Sequence, residues 1–473
     1  MDFSKEIEAF IKGFVKDLEE NNAAIFAGAG MSKAAGYVDW PELLRDIATE
    51  LGLEVEKEND LITVAQFHVN TRNGSAGLAK KILEEFSEQA EPSDVHKILA
   101  SLPISTYWTT NYDALIEDAL KAAFKVADVK YNETQLSNTR PKRDVVLYKM
   151  HGDVTVPEDA ILYKEQYERY HLTHSRFITA LSGDLISKTF LFIGFSFTDP
   201  NLDYVLSRLH VGKARRNHYC FMRAEQRQAK DDDEIFAYKC RKQALRIEDL
   251  KRFGIQTLLI NDYREIPLIL KEVDLRFRKR TLFVSGSAEE YGRWSRQDAQ
   301  NFIHALASGA IKANFRVVNG FGWGVGSAVI NGALEAIYGN PLKYSEDQLV
   351  VRPFPQSGDN LKDLWEEYRQ RMIKLAGIAV FLFGNKLKDG AVVEADGVRR
   401  EFEIAIQHGL IPIPVGATGS MSNVLWTTVM AETGKYYAGL DWIGPLVQEL
   451  NDPTLSPADL ASKVLHILNR LSK

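Results

Sequence analysis

Cysteine is nearly absent: Cys220 and Cys240 are the only two in 473 residues, and neither sits in a Cys-x-x-Cys pair. A disulfide framework and a four-cysteine zinc site are both excluded. Long apolar runs are missing too; stretches such as "TFLFIGF" have the length of a strand, far short of a membrane span. There is no long basic block and the net charge is a modest −6, so bulk electrostatics favours neither nucleic acid nor an anionic membrane as partner. The first residues, "MDFSKEIEAFIKGFVKDLEE", lack the apolar core of a signal peptide. They space Ile7, Phe10, Ile11, Phe14 and Leu18 as one face of a helix. What is present, 45% hydrophobic and 26% charged residues, fits a cytosolic globular protein of two domains.

Short apolar strands alternate with longer helical patterns, which predicts α/β architecture with parallel sheets. The predicted strands of the first part are "AAIFAGAG", "STYWTTN", "VVLYKMHG", "TFLFIGF", "HYCFM" and "IQTLLI", followed by a closing helix "EIPLILKEVDLRF". The basic run "RFRKRT", residues 276 to 281, has the composition of a solvated linker. After it the rhythm restarts with "TLFVSGS", "FRVVNGFGWGVGSAVINGAL", "GIAVFLFG" and "LIPIPVG". The halves do not repeat each other, so the expectation is two different Rossmann-like parallel-sheet domains, residues 1–278 and 279–473.

Polar and glycine residues collect where strands end. "AAIFAGAGMSKAAG" carries Gly28, Ala29, Gly30 and Ser32. Such a turn suits a dinucleotide pyrophosphate at a helix start, but it equally suits a tight strand-to-helix turn. "WTTNYDALI" places Asn111 and Asp113 after a strand, and "YKMHGD" places His151 and Gly152 after another. "FIGFSFTDPNLDYVL" adds Gly194, Ser196, Asp199 and Asn201. Any one of these could be a helix cap or turn former. In a parallel sheet all carboxyl ends share one edge, so the four stretches can converge on one crevice.

In this order, Gly-Ala-Gly-x-Ser, Thr-x-Asn-x-Asp, His-Gly and Gly-x-Ser resemble the sirtuin fold and its NAD site over roughly residues 10 to 275. The resemblance implies that Gly28, Ala29, Gly30 and Ser32 line the NAD phosphates and ribose. It sets Asn111 and Asp113 around the nicotinamide and its ribose, makes His151 a general base on a ribose hydroxyl, and puts Gly194, Ser196 and Asp199 against the dinucleotide as well. The departures narrow the chemistry. No cysteine lies between His151 and Gly194, where sirtuin deacylases carry a zinc module, Thr110 replaces a glutamine, and Pro41 stands where a loop arginine is expected. NAD as substrate, no zinc and water in place of an acyl-lysine give hydrolysis to ADP-ribose and nicotinamide. Asn111 would orient water or ribose and His151 would accept a proton.

In the second half, "VSGS" brings Gly286 and Ser287, and "GFGWGVGS" brings Gly322, Gly324 and Gly326. That density of glycine lets a phosphate or ribose reach main-chain amides, and it also permits close helix packing. Arg369 on "LWEEYRQRMIKL", Lys386 in "FGNK" and Glu401 at "EFEIAIQH" complete a candidate nucleotide site. From about residue 281 to 440 this half resembles SLOG domains, but the Pro-Gly-Gly-x-Gly-Thr of their phosphoribohydrolases is missing. Binding is therefore expected here without catalysis.

A zinc-free sirtuin-like domain followed by a SLOG domain resembles the effectors of bacterial Thoeris anti-phage systems. The resemblance implies a bacterial cytoplasmic homo-oligomer whose SLOG domain binds a cyclic ADP-ribose isomer made by a TIR-domain partner, and whose first domain then consumes NAD. Two alternatives stay open from the residues themselves: a sirtuin-type deacylase, and a nucleotide sensor without catalysis.

Overall fold

The structure is a computed structural model, which describes residues 3–86, 90–197, 199–209, 216–355, 357 and 359–472. Thr198, within the stretch after the fourth predicted strand, lies outside them. The chain divides into two compact units, Met1–Asp274 and Leu275–Lys473, a few residues before the expected boundary.

The first unit is built on seven parallel strands: β1 (Ala23–Ala27), β2 (Thr106–Thr109), β3 (Ala127–Lys130), β4 (Val145–Lys149), β5 (Thr189–Ile193), β6 (His218–Arg223) and β7 (Ile255–Ile260). Their order is β3-β4-β2-β1-β5-β6-β7. All five residues of β1 and all five of β5 are buried, as a parallel strand covered on both faces requires. Phe26, Phe190, Phe192 and Trp108 fill one side of this sheet. The amphipathic face expected at the N-terminus forms the helix Lys5–Glu19, with Ile7, Phe10, Ile11, Phe14, Val15 and Leu18 buried and Ser4 capping the amide of Ile7.

Arg276 and Arg278, expected in a linker, instead finish the helix Glu265–Arg278, and Thr281 already opens the next strand. The guanidinium of Arg278 donates to the carbonyl of His408 at 3.3 Å, a bond within the second unit, so this end of the basic run is not a solvated tether.

The second unit has a five-stranded parallel sheet made of β8 (Thr281–Ser287), β9 (Arg316–Asn319), β10 (Leu349–Val351), β11 (Ile378–Phe383) and β14 (Ile411–Pro414), in the order β10-β9-β8-β11-β14. A separate hairpin joins β12 (Asn385–Lys388) to β13 (Ala391–Glu394), with Asp389 and Gly390 both at positive φ in its turn. The helices Arg296–Lys312 and Gly326–Gly339 contribute their apolar faces to one core with β8, β9 and β11.

In each sheet the chain starts at a central strand and runs outward in both directions. β1 lies between β2 and β5, and β8 between β9 and β11. Such reversals leave a crevice at the carboxyl ends of the strands, where ligands bind in open α/β sheets.

Candidate active site

At the end of β1, Gly28 and Gly30 meet Gly194 at the end of β5. A Cβ on Gly28 would lie 2.5 Å from the Gly194 oxygen, and one on Gly194, at φ +66°, would lie 2.4 Å from the Met31 nitrogen. The Gly28 and Gly30 amides donate to the carbonyls of Ile193 and Gly194, both at 2.9 Å. In this conformation the glycines therefore let two backbones touch, and these two amides are not held out toward a ligand.

Beside them is a network of side chains from the segments that follow β1 and β2. Asn111 donates from Nδ2 to the Gly28 oxygen at 3.0 Å and to Ser32 Oγ at 2.7 Å. Ser32 in turn donates to Asp113 Oδ2 at 2.5 Å, and the other Asp113 oxygen caps the amide of Leu115. The three side chains, separated by some eighty residues of sequence, are all buried. The Asn111 amide is set by Thr109 Oγ1 at 3.0 Å, and Thr109 itself bonds the Ala27 carbonyl.

His151, two residues beyond β4, faces the start of the helix Pro200–Leu209. Its Nε2 lies 3.3 Å from Asp199 Oδ2 and 3.4 Å from Asn201 Nδ2, while Tyr167 packs edge-on against the ring. Asp199 is fixed by its other oxygen, which accepts from the amides of Asn201 and Leu202. Burial pushes the His151 pKa below the ordinary histidine value, against an opposing pull from Asp199. The imidazole is thus neutral and able to accept a proton near neutral pH. Only 2% of it is exposed.

Lys149, the last residue of β4, escaped the sequence reading although a lysine ending the apolar run "VVLYK" was a signal. It is fully buried beneath the turn of Asn111 and Asp113, with its ammonium on the carbonyls of Tyr112 and Asp113 and the carboxylates of Glu117 and Asp153. Among the described residues, no group of three or more His, Cys, Asp or Glu side chains is placed to hold a metal ion, and Cys220 and Cys240 are both free. No described helix is long and apolar enough to cross a membrane.

The edge of the second sheet has a different character. Gly286 and Gly322 pack backbone to backbone, a Cβ on Gly322 falling 2.0 Å from the Gly286 oxygen; Gly324, at φ +70°, fits under Ala288 in the same way. Gly326 packs against Phe321. Close packing accounts for these glycines. Ser285 donates to Glu401 Oε2 at 2.6 Å, and Arg369 approaches the other Glu401 oxygen at 3.7 Å with its guanidinium 5.0 Å from the Phe354 ring. Among the described residues, Arg369 Nε is buried without a hydrogen-bond partner. Burial raises the Glu401 pKa, opposed by Ser285 and Arg369. Lys386 is paired with Asp396 across the base of the hairpin, and Ser287 donates to the Asn385 carbonyl.

Both halves match known families. Residues 105–245 match a SIR2-like domain, and residues 265–471 match the Sir2- and TIR-associating SLOG family. The class is therefore a SIR2-like domain followed by a SLOG domain. Over 470 residues the chain is 48% identical to the NAD(+) hydrolase ThsA of Bacillus cereus (strain MSX-D12), covering 98% of each protein. It is 44% identical to the protein of that name from Cytobacillus dafuensis (98% of this chain, 96% of that one) and 43% identical to the one from Acinetobacter baumannii (strain 532279) (98% and 99%). The chain belongs to the ThsA family.

Proposed function

We propose that the chain hydrolyses NAD+ to ADP-ribose and nicotinamide at the edge of the seven-stranded sheet. The observation that carries this reading is the meeting there of two buried polar networks, Ser32–Asn111–Asp113 and His151–Asp199–Asn201, beside the reversal between β1 and β5. The relatives named NAD(+) hydrolase support it over the full length of the chain. In this reaction the C–N bond between nicotinamide and ribose breaks, its electron pair neutralising the pyridinium nitrogen. Water adds to the ribose carbon and gives up a proton. Asn111 orients the ribose or the water, and neutral His151 accepts the proton, directly or through a ribose hydroxyl. With Nε2–H donating to Asp199, the remaining ring nitrogen is the base, and the carboxylate stabilises the imidazolium that forms. Gly28, Ala29, Gly30, Ser32, Gly194 and Ser196 would surround the rest of the dinucleotide. No zinc takes part.

The reading extends to control. Arg369 and Glu401, with the turns of Gly286, Ser287, Gly322, Gly324 and Gly326 and with Lys386, would bind a cyclic ADP-ribose isomer, for which a guanidinium held, among the described residues, only by a 3.7 Å ion pair with Glu401 is a fitting anion donor. The ligand, supplied by a TIR-domain partner in the bacterial cytoplasm, would favour the active arrangement of a homo-oligomer by its differential affinity for the two states. The test is chromatography of NAD+ incubated with the purified chain and a cyclic ADP-ribose isomer. Equal amounts of nicotinamide and ADP-ribose are expected; nicotinamide released only with an acetyl-lysine peptide would point to a deacylase instead.

A further inference from the structure

We infer that Lys149 is a positioning residue whose ammonium locks the turn carrying Asn111 and Asp113 to the turn carrying His151. The inference rests on the reading of Asn111 and His151 as the groups that act on NAD+. Thr109 and Lys149 are partners in the register of β2 and β4, so both turns leave the sheet at one level, with Asn111 two residues past one strand and His151 two residues past the other.

From that position Lys149 Nζ reaches across to the carbonyl oxygens of Tyr112 at 3.0 Å and Asp113 at 2.7 Å. On the other side it holds Asp153, two residues after His151, and Asp153 is itself fixed by the amide and hydroxyl of Thr155 at 2.9 and 2.6 Å. Glu117 Oε1, on the helix Leu115–Ala122, accepts at 3.0 Å. Three N–H bonds thus face four acceptors drawn from both turns and the following helix. Burial disfavours the charge on Lys149, but Glu117 and Asp153 outweigh it and hold the pKa above the ordinary lysine value. Burial in turn raises the Glu117 pKa above the ordinary carboxylate value, opposed by Lys149.

A purely structural role explains this arrangement poorly. Val145 and Leu147, the other buried side chains of β4 before it, are apolar. Apolar side chains at Lys149, Glu117 and Asp153 together would fill the space without a buried ion cluster, and well-packed apolar replacements of whole clusters are often neutral or stabilising. What an apolar side chain cannot do is fix two main-chain carbonyls of one turn against the carboxylate of another. Errors of about 1 Å in such placement cost rates of about 100-fold.

The experiment compares Lys149→Met and Glu117→Gln with the wild-type full-length chain, in NAD+ cleavage and in amide hydrogen exchange. For Lys149→Met, kcat is expected to fall about 100-fold with KM within about twofold. Exchange should quicken in residues 110–114 and 151–155 and stay unchanged elsewhere in the first domain. Glu117→Gln, which keeps its volume and leaves Asp153 in place, should fold even where Lys149→Met does not, and lose about tenfold in kcat with the same local loosening. Wild-type kcat in either folded variant, an effect confined to KM, or loosening spread over the whole domain would overturn the inference. Should the wild type release no nicotinamide under any condition, the proposed reaction fails. Exchange then decides the clamp by itself, unchanged protection at 110–114 refuting it.

Discussion

The two sheet edges share a plan and differ in what they leave unpaired. Each begins at a central strand, β1 or β8, and each brings glycine backbones into contact at the end of that strand, Gly28 and Gly30 with Gly194 after β5 in one and Gly286 with Gly322 after β9 in the other. At the first edge, among the described residues, the buried atom without a hydrogen-bond partner is an acceptor, Glu117 Oε2. Ser32, Asn111 and Asp113 form a closed set, and His151 is held against Asp199. At the second it is a donor: Arg369 Nε is buried, ion-paired with Glu401 at 3.7 Å and, among the described residues, without a hydrogen-bond partner. Glycine thus marks the strand-end contact in both domains without saying what the edge does. On the function proposed above, the first edge supplies the base and amide for chemistry and the second the donor for an incoming anion.

The sharpest way to break this comparison is at the first edge. His151→Ala and Asn111→Ala should each lower NAD+ cleavage by a factor of about 10² to 10⁴, as the loss of a general base or a transition-state hydrogen bond commonly does. Circular dichroism should show both variants folded. A folded variant that cleaves at the wild-type rate would remove the chemistry from this edge.

The shared plan is tested by Gly194→Ala and Gly322→Ala. Both added methyl groups would collide with main-chain atoms, at 2.4 Å from the Met31 nitrogen and 2.0 Å from the Gly286 oxygen, and Gly194 also has φ +66°. Each should destabilise its own domain by ~3 kcal/mol, read by urea unfolding. A loss in only one domain would show that the edges are not built alike.

A smaller effect separates the domains by pH. Burial lowers the pKa of His96 and of His218 to about 4, and also lowers that of His151. In the unfolded chain these groups titrate near the ordinary value, so it binds more protons as pH falls below about 6.5. Their contribution is present above that pH and is lost as pH falls toward 4, on the order of 2 kcal/mol for each of His96 and His218 at pH 5. The second domain buries no histidine, since His304 and His408 are half-buried and His466 is exposed. Differential scanning calorimetry at pH 7 and pH 5 should therefore show the first domain's transition moving down much more than the second's. The smallest expectation is none at all: a strong chelator should leave NAD+ cleavage and both melting transitions where they were.

How far the sequence reveals this comparison depends on which groups are buried. The two central strands and their glycine turns are legible because fully buried apolar runs end abruptly in small residues. Strand β3 is less so, since half of its residues are only partly covered and the sequence "ADVK" carries charge. Strand β10 is three residues long. The hairpin of β12 and β13 did offer a cue, Asp389-Gly390 between alternating residues, which its charged flanks hide. Charge misleads at Arg278 as well, where a basic run suggests solvent and the structure uses a guanidinium to bind a carbonyl. Lys149 is the deepest case. A lysine ordinarily keeps its ammonium in water, and only the placement of Glu117, Asp153 and two carbonyls lets this one be buried. The partners of Asn111 and His151 were visible as strand-end motifs, but which polar groups bond each other depends on loops that sequence order does not position.

The most direct measurement is the NAD+ cleavage rate of the full-length chain as a cyclic ADP-ribose isomer is added, in the wild type and in Arg369→Ala. If the first edge performs the chemistry and the second binds the signal, the wild-type rate rises with ligand to saturation. Arg369→Ala then keeps any basal cleavage and loses the response, together with ligand binding by calorimetry. A wild type that binds the isomer with no change in rate, or an Arg369→Ala that responds as the wild type does, would contradict the account.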